Sequence, residues 1–351
     1  MKILSIVGAR PQFIKLAPLS KEIRKYHDEI IVHTGQHFDK EMSASFFNDL
    51  KINIPDYNLN INSGSHAEQT SKMIFEIEKV LIIEKPDAVI IFGDTNSTLS
   101  AAIVCSKLPF KLFHIESGLR SFNKNMPEEV NRIMSDHMSD YLFAPTQTAM
   151  NNLANEGLIN RSYLTGDIMV DSVKYGLNLP LKNDLISRYS LGINEFYLLT
   201  LHRPYNVDNP ENIIKIFSIL SEINSLVVFP VHPRTRKILK DAKIYIPENI
   251  ILIKPVGYID FLNLQKKCKK IITDSGGIQK EAYLLKKPCI TFRSETEWVE
   301  TVEAGWNLLI NLDIDMDVKS RILNFNPTQN HKSIYGNNVS TKMLNLINKL
   351  L

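Results

Sequence analysis

Seven short polar stretches each follow directly on an apolar run. They are Gly8-Ala9-Arg10, Gly93-Asp94-Thr95, Glu116-Ser117-Gly118, His202-Arg203, His232-Pro233, Asp274-Ser275-Gly276-Gly277, and Arg293. Asp94, Glu116 and, within MPEEVNR, Glu128 are carboxylates of this set and its neighbourhood. Several carboxylates gathered in one place suit proton transfer at carbon, because burial and mutual repulsion raise their pKa values toward neutrality. The plainer role for any one of them is a helix cap or an ion-pair partner. Glu129 and Arg132 have the i,i+3 spacing of such a pair.

The other members are suited to an anion. TDSGGIQKEA, residues 273–282, places two adjacent glycines between an apolar run and a helix-like run, in a chain with only 14 glycines among 351 residues. A strand, a Ser-Gly-Gly turn and a helix start present free backbone N–H groups at a positive helix end. Phosphate oxygens can approach where side chains are missing. The pattern is neither GxGxxG nor GxxxxGK[ST], and a plain tight turn would look the same. Glu281 on that helix start could accept from ribose hydroxyls, or could be an exposed first-turn carboxylate favoured by the helix dipole. Arg10, His202, Arg203 and His232 could serve a diphosphate as protein cations or donors. No His/Asp set has metal-ligand spacing, and His33 with His37 lacks the glutamate of HExxH.

Strand-length apolar runs rich in Val, Ile and Phe must position these residues. KILSIV, AVIIFG, KLFHIE, FYLLTL, LVVFPV and KIITDS are not alternating, as expected of strands buried on both faces. Helix-like segments such as AEQTSKMIFEIEKVLIIE and EEVNRIMSDHMSD lie between them. Strand then helix, repeated about ten times, gives an α/β fold with parallel sheets. In such sheets ligands bind beyond the carboxyl ends of the strands, where the polar stretches fall. The segment from about 171 to 195 reads as a helical connector, and a fresh strand begins at Phe196. Two doubly wound, Rossmann-like domains are expected, residues 1–170 and 171–335. An amphipathic terminal helix at about 338–351 packs back on the first. A single (β/α) barrel is the alternative, and the long connector argues against it.

Composition narrows the function further. There are 41 basic and 38 acidic residues, a net charge of +3, so no nucleic-acid footprint is present. Cys105, Cys268 and Cys289 show no paired spacing and read as reduced thiols of a cytoplasmic protein. The N-terminal MKILSIVGARPQ is too short for a signal h-region and is cut by Arg10; a buried strand fits it better. No run of about 18 apolar residues marks a membrane span.

Taken together the motifs resemble the non-hydrolysing UDP-N-acetylglucosamine 2-epimerase family. The resemblance runs through GARPQFIKLAP (8–18), GDTNSTL (93–99), HIESGLRS (114–121), MPEEVNR (126–132), TLHRPYN (200–206), PVHP (230–233), SGGIQKEA (275–282) and ETEWVETVEAGWN (295–307). It implies two Rossmann-like domains of the GT-B type with the active site in the interdomain cleft. It also implies a UDP-sugar substrate, a homodimer, and no metal or other cofactor. By motif, Arg10, His202, Ser275, Gly276 and Gly277 resemble diphosphate contacts, Glu281 the ribose ligand and Phe261 the uracil contact. Asp94, Glu116 and Glu128 resemble the acid/base group, with His202 near the leaving diphosphate and Lys15 and His232 in support. The reaction implied is epimerisation at carbon 2 of UDP-N-acetylglucosamine, giving UDP-N-acetylmannosamine, through anti elimination of UDP, a 2-acetamidoglucal intermediate and re-addition.

The chain also departs from the pattern. Much of the family has TTERPE where ETEWVE stands here, with Trp298 and Val299. Gln36 matches part of an activator site of some bacterial members, but Asp39 and His66 stand where its partners would be. ETEWVE and LRSFNKNMPEE are more like the branch acting on UDP-2,3-diacetamido-2,3-dideoxy-glucuronic acid. The same chemistry on that sugar is one alternative. A retaining GT-B glycosyltransferase is another, and it would not need the carboxylate set for exchange at carbon 2. A hydrolysing epimerase and a non-catalytic sugar-nucleotide sensor complete the range.

Overall fold

The computed structural model describes residues 1–36 and 47–351, so His37 and Asp39 lie outside the described residues. The chain divides into two compact units, Met1–Tyr175 with Ser333–Leu351, and Gly176–Lys332.

Unit 1 is built from β1 (Lys2–Val7), α1 (Arg10–Ile23), β2 (Asp28–His33), β3 (Tyr57–Asn58), α2 (His66–Glu84), β4 (Ala88–Phe92), α3 (Asn96–Cys105), β5 (Lys111–Ile115), α4 (Pro127–Met138), β6 (Tyr141–Ala144), α5 (Gln147–Asn155) and β7 (Ser162–Leu164). Helix α6 (Met169–Leu177) follows. The strands form one sheet in the order β3-β2-β1-β4-β5-β6-β7, and each pairing is parallel. β4, sequence AVIIF, is buried along its whole length, which is why its residues are all apolar and do not alternate. Leu4, Ile6, Val89 and Ile91 pack with Met73, Ile77 and Leu81 of α2 and with Ala101 and Ala102 of α3. Each of these Leu, Ile, Val and Met side chains contributes about 1.5–3 kcal/mol on burial. The last helix, Val339–Leu350, packs on α1. Asp171 holds its first turn by accepting from Ser340 N at 2.7 Å.

Unit 2 contains α7 (Leu185–Arg188), β8 (Tyr197–Thr200), α8 (Pro204–Val207), α9 (Pro210–Ser221), β9 (Val227–Pro230), α10 (Pro233–Asp241), β10 (Ile250–Ile253), α11 (Tyr258–Lys267), β11 (Lys270–Thr273), α12 (Gly276–Leu284), β12 (Cys289–Thr291), α13 (Val299–Glu303), β13 (Asn307–Leu309) and α14 (Val318–Asn324). Its sheet runs β10-β9-β8-β11-β12-β13, again all parallel. Leu199, Phe229, Ile272 and Ile290 pack against Ile213 and Phe217 of α9. Buried Lys270 closes the end of α14, its Nζ donating to the carbonyls of Ile322, Leu323 and Phe325 at 2.6–2.8 Å.

In both sheets the strand order reverses beside the first strand. The reversal lies between β1 and β4 in unit 1 and between β8 and β11 in unit 2. Ligands of open α/β sheets bind at such points, beyond the strand carboxyl ends. The residues standing there are Gly8–Arg10 with Gly93–Asp94, and His202–Arg203 with Asp274–Gly277. Among the described residues no helix is long and apolar enough to cross a membrane.

Candidate active site

In unit 1 the two strand ends at the reversal are tied together by Gln12. Its Oε1 accepts from the N–H groups of Gly8 and Ala9 at 2.7 and 3.0 Å, and its Nε2 donates to Phe92 O at 2.8 Å. The turn after β4 needs Gly93, whose φ is +62°. A Cβ there would lie 3.3 Å from Glu116 Oε2 and 3.4 Å from Lys15 Nζ. Lys15 and Glu116 form an ion pair packed over this glycine. Glu116 has φ +68°, a left-handed backbone that costs a non-glycine residue about 1–3 kcal/mol. The backbone therefore bears strain at the residue that carries the carboxylate. Asp94, next to Gly93, is paired with Arg132 of α4. Arg132 is shared with Glu129, at 3.1 Å.

A buried polar network supports this turn from behind. His114 donates through Nε2 to Gly93 O at 2.7 Å, while its Nδ1 meets Asp136 at 2.7 Å. Asp136 also accepts from Gly118 N at 3.0 Å and pairs with Arg120 at 2.8 Å. Burial alone would push the Asp136 carboxyl up. The hydrogen bond from His114 and the Arg120 charge outweigh it, and the group sits below its ordinary value.

In unit 2 the acid of TDSGG turns inward. Asp274, fully buried, accepts from His202 N and Arg203 N at 3.1 and 3.0 Å and from Asn206 Nδ2 at 3.0 Å. It also holds His202 Nδ1 at 2.9 Å. Asp274 thereby shapes the LHRPYN turn and orients the His202 ring. Burial would raise its pKa, but the hydrogen bonds of His202, Asn206 and Arg203 hold it below the ordinary value. Asp274→Asn is expected to cost on the order of 1 kcal/mol of stability at pH 7, read by urea unfolding. The folded-state pKa is depressed. The stabilisation is therefore complete above the ordinary carboxylate range, about pH 4, and fades as pH falls through the lower folded value. The gap between variant and wild type should close on acidification.

The glycine pair divides into two different cases. α12 begins at Gly276 with Ser275 as N-cap, and the serine side chain makes no capping hydrogen bond. The first N–H groups of a helix have no partner within it. A Cβ on Gly276 would lie 2.1 Å from Glu297 Oε1 and 3.4 Å from Trp298 Nε1. Any larger residue at position 276 would therefore require the Glu297 carboxylate to move. Gly277 has an ordinary φ, and nothing lies within 4 Å of where its Cβ would be. Among the described residues no contact explains the second glycine. The loop is fixed by buried Gln279, whose Oε1 accepts from Thr296 Oγ1 at 2.6 Å and Asn307 Nδ2 at 2.9 Å. Glu297 pairs with Arg293 at 2.9 Å. Lys280 Nζ lies 3.9 Å from the centre of the Trp298 ring.

Glu281, in the middle of α12, is only 6% exposed, so it is not a solvated first-turn carboxylate. Its Oε2 accepts from Gln265 Nε2 of α11 at 2.6 Å. Burial pushes its carboxyl up to about 7, against the opposing hydrogen bond of Gln265 and the charge of Lys280. Phe261, on the same α11, is half-buried against the core cluster that holds Leu264 and Ile253.

Lys15, Glu116 and Asp94 therefore converge around Gly93, and His202 and Ser275–Gly277 flank Asp274. Arg10 stands exposed at the first residue of α1. His232 is the N-cap of α10, its Nδ1 accepting from Arg234 N at 3.3 Å. Glu128 is exposed on the first turn of α4, whereas its neighbour Glu129 is buried. Glu129 receives the N–H groups of Ser121 and Phe122 at 2.9 and 2.8 Å. Gln36 is bound to Ser97 Oγ at 2.7 Å, and His66 Nδ1 lies 3.1 Å from Asn96 Nδ2. His114, Gln265 and Gln279 are not distinguished by the sequence, and Arg132 is marked there only as the ion-pair partner of Glu129. For Arg132 the i,i+3 spacing to Glu129 was a signal. For the others only three-dimensional proximity reveals the role.

Two parallel α/β units, each with polar residues loaded at its strand reversal, define an enzyme of the GT-B-like, Rossmann-type class. Comparison with known proteins narrows this to a family. The profile described as UDP-N-acetylglucosamine 2-epimerase matches residues 21–347. A "UDP-N-acetylglucosamine 2-epimerase homolog" of Methanococcus maripaludis is 48% identical over the full length of both chains. A UDP-2,3-diacetamido-2,3-dideoxy-D-glucuronate 2-epimerase of Pseudomonas aeruginosa is 45% identical, covering 96% of each chain. The crystal structure of Methanocaldococcus jannaschii UDP-GlcNAc 2-epimerase in complex with UDP-GlcNAc and UDP superposes with a TM-score of 0.88 at 44% identity, covering all of both chains. The chain belongs to the UDP-N-acetylglucosamine 2-epimerase family, and it is an isomerase.

Proposed function

We propose that the protein interconverts UDP-N-acetylglucosamine and UDP-N-acetylmannosamine without hydrolysis. The observation that carries this reading is the carboxylate cluster around Gly93. Glu116 sits there on a left-handed backbone, ion-paired with Lys15, beside the Asp94–Arg132 pair. A glycosyl transferase would not need that set at carbon 2. In the forward direction a carboxylate takes the carbon-2 proton, and the C–H electron pair forms the C1=C2 bond. The C1–O bond to UDP breaks with it, leaving 2-acetamidoglucal and UDP. Protonation of carbon 2 on the opposite face and return of the UDP oxygen to carbon 1 complete the exchange. No net proton or electron is consumed.

Asp94, Glu116 and Glu128 form the acid/base group in this reading. Arg10, Ser275, Gly276 and Gly277 hold the diphosphate as its charge grows, and His202, oriented by Asp274, meets the leaving oxygen. Glu281 accepts from the ribose, Phe261 packs on uracil, and Lys15 and His232 assist. The family resemblance also supports a homodimer working in the cytoplasm.

A second substrate has a specific argument behind it. The Pseudomonas aeruginosa relative named for the diacetamido-glucuronate sugar is 45% identical to this chain. Incubation of each sugar nucleotide in D₂O, with no acceptor, should place deuterium at carbon 2 of the true substrate with UDP still attached. Absence of deuterium in both sugars would sink the epimerase reading. Free sugar with UDP as the main product would replace it with hydrolysis.

A further inference from the structure

Gln265 of α11 is 0% exposed, and Leu262, Leu264 and Cys268 nearby in the chain are buried as well. Its Nε2 lies 2.6 Å from Glu281 Oε2. Its Oε1 is buried and, among the described residues, has no hydrogen-bond partner. Leaving a buried polar atom without a partner is destabilising, and a leucine or methionine would fill the same volume without that cost. The packing of α11 itself therefore does not call for an amide at this position; its partner Glu281 does. What the amide supplies is one N–H aimed at one carboxylate oxygen.

The surroundings of Glu281 point the same way. Tyr258, two turns before Gln265 on α11, is buried, and burial, the Glu281 charge and a hydrogen bond to that carboxylate push its phenol well above the ordinary value. Lys280 from the same helix is the cationic group that acts on Glu281. Tyr258, Lys280 and the neutral Gln265 are thus the groups that face this carboxylate from α11 and α12. A carboxylate with one oxygen held by an amide has its second oxygen fixed in direction. That suits a pair of vicinal hydroxyls, which need an acceptor at a set position.

We propose that Gln265 is a positioning residue for the nucleoside: its amide holds one oxygen of Glu281 so that the carboxylate meets the ribose diol of a UDP-sugar. This rests on the reading of Glu281 as the ribose ligand. Donation from Gln265 also favours the ionised carboxylate, the form that accepts from two hydroxyls. UDP binding should then strengthen as pH rises through the Glu281 value of about 7. Removing the donor should move that midpoint upward.

The test compares UDP with 2′,3′-dideoxy-UDP, by calorimetry, on the full chain and on Gln265→Leu and Gln265→Met. Both variants are apolar and of similar volume, so one serves if the other unfolds. Wild type is expected to prefer UDP by about tenfold or more. In the variants that preference should shrink to about threefold or less, with dideoxy-UDP affinity unchanged and the UDP pH midpoint raised. KM should rise while kcat at saturation stays near wild type. Equal weakening of both nucleotides would make Gln265 merely structural and overturn the proposal, as would an unchanged preference. A wild type that does not distinguish the two nucleotides would instead overturn the ribose role of Glu281, and this proposal with it.

Discussion

Glu116→Gln is expected to lower kcat by about 10²–10⁴-fold, the range that a positioned acid or base contributes, while UDP affinity stays close to wild type. The substitution keeps the size of the side chain and an oxygen that can accept from Lys15. It removes the ability to take a proton from carbon 2. The fold holds this group in a costly conformation, with φ +68°, between Gly93 on one side and the Lys15 ammonium on the other. His114 fixes the carbonyl of the same glycine at 2.7 Å. Such over-determined strain is what pre-organised reacting groups require. Deuterium uptake at carbon 2 reads the proton step directly, and calorimetry with UDP reads the nucleotide site. A variant that exchanges deuterium at the wild-type rate would remove Glu116 from the acid/base group and leave Asp94 and Glu128 to carry it. A variant that also loses UDP would show that the effect spreads beyond the reacting carbon.

The strand ends were legible because their cause is local. A run such as AVIIF cannot alternate when both faces are covered, and all five residues of β4 are buried. Gly93 and Asp94 are its next residues in the chain, so reading the run also points to the candidate site. Legibility stopped where a role depends on a distant partner. Asp274 lies in the most suggestive stretch of the sequence, yet it holds the backbone of His202 and Arg203 more than seventy positions earlier. Gly276 was read as room for a phosphate, and the space where its Cβ would stand is taken by the carboxylate of Glu297. Of two adjacent glutamates in MPEEVNR, the helix start buries the second, because its carboxylate receives the N–H groups of Ser121 and Phe122. Nothing in NLQKKCKK distinguishes Gln265 from a solvated helix residue. Its position becomes informative only when α12 is laid against α11 and Glu281 comes within 2.6 Å. Contacts across a sheet or between helices are set by packing, and a single sequence carries no record of which residues packing brings together.

Gly277→Ala is the substitution in which stability and binding should move apart. Among the described residues nothing lies within 4 Å of the position its Cβ would take, and its backbone is not left-handed. Alanine favours a helix over glycine by up to about 1 kcal/mol, so the unliganded variant should be as stable as wild type or slightly more so. If the diphosphate lies over the first N–H groups of α12, the added methyl group stands where phosphate oxygens must approach. UDP affinity should then fall about ten- to hundredfold, or ~1.4–2.8 kcal/mol. Gly276→Ala should behave differently, because its Cβ meets Glu297 Oε1 at 2.1 Å before any ligand arrives. That variant should lose stability in the absence of nucleotide, since the Glu297–Arg293 pair must shift. Urea unfolding separates the two free proteins, and UDP titration of Gly277→Ala isolates the ligand's share. Wild-type UDP affinity in Gly277→Ala would mean that the diphosphate does not occupy this turn. The helix start would then have no share in holding it.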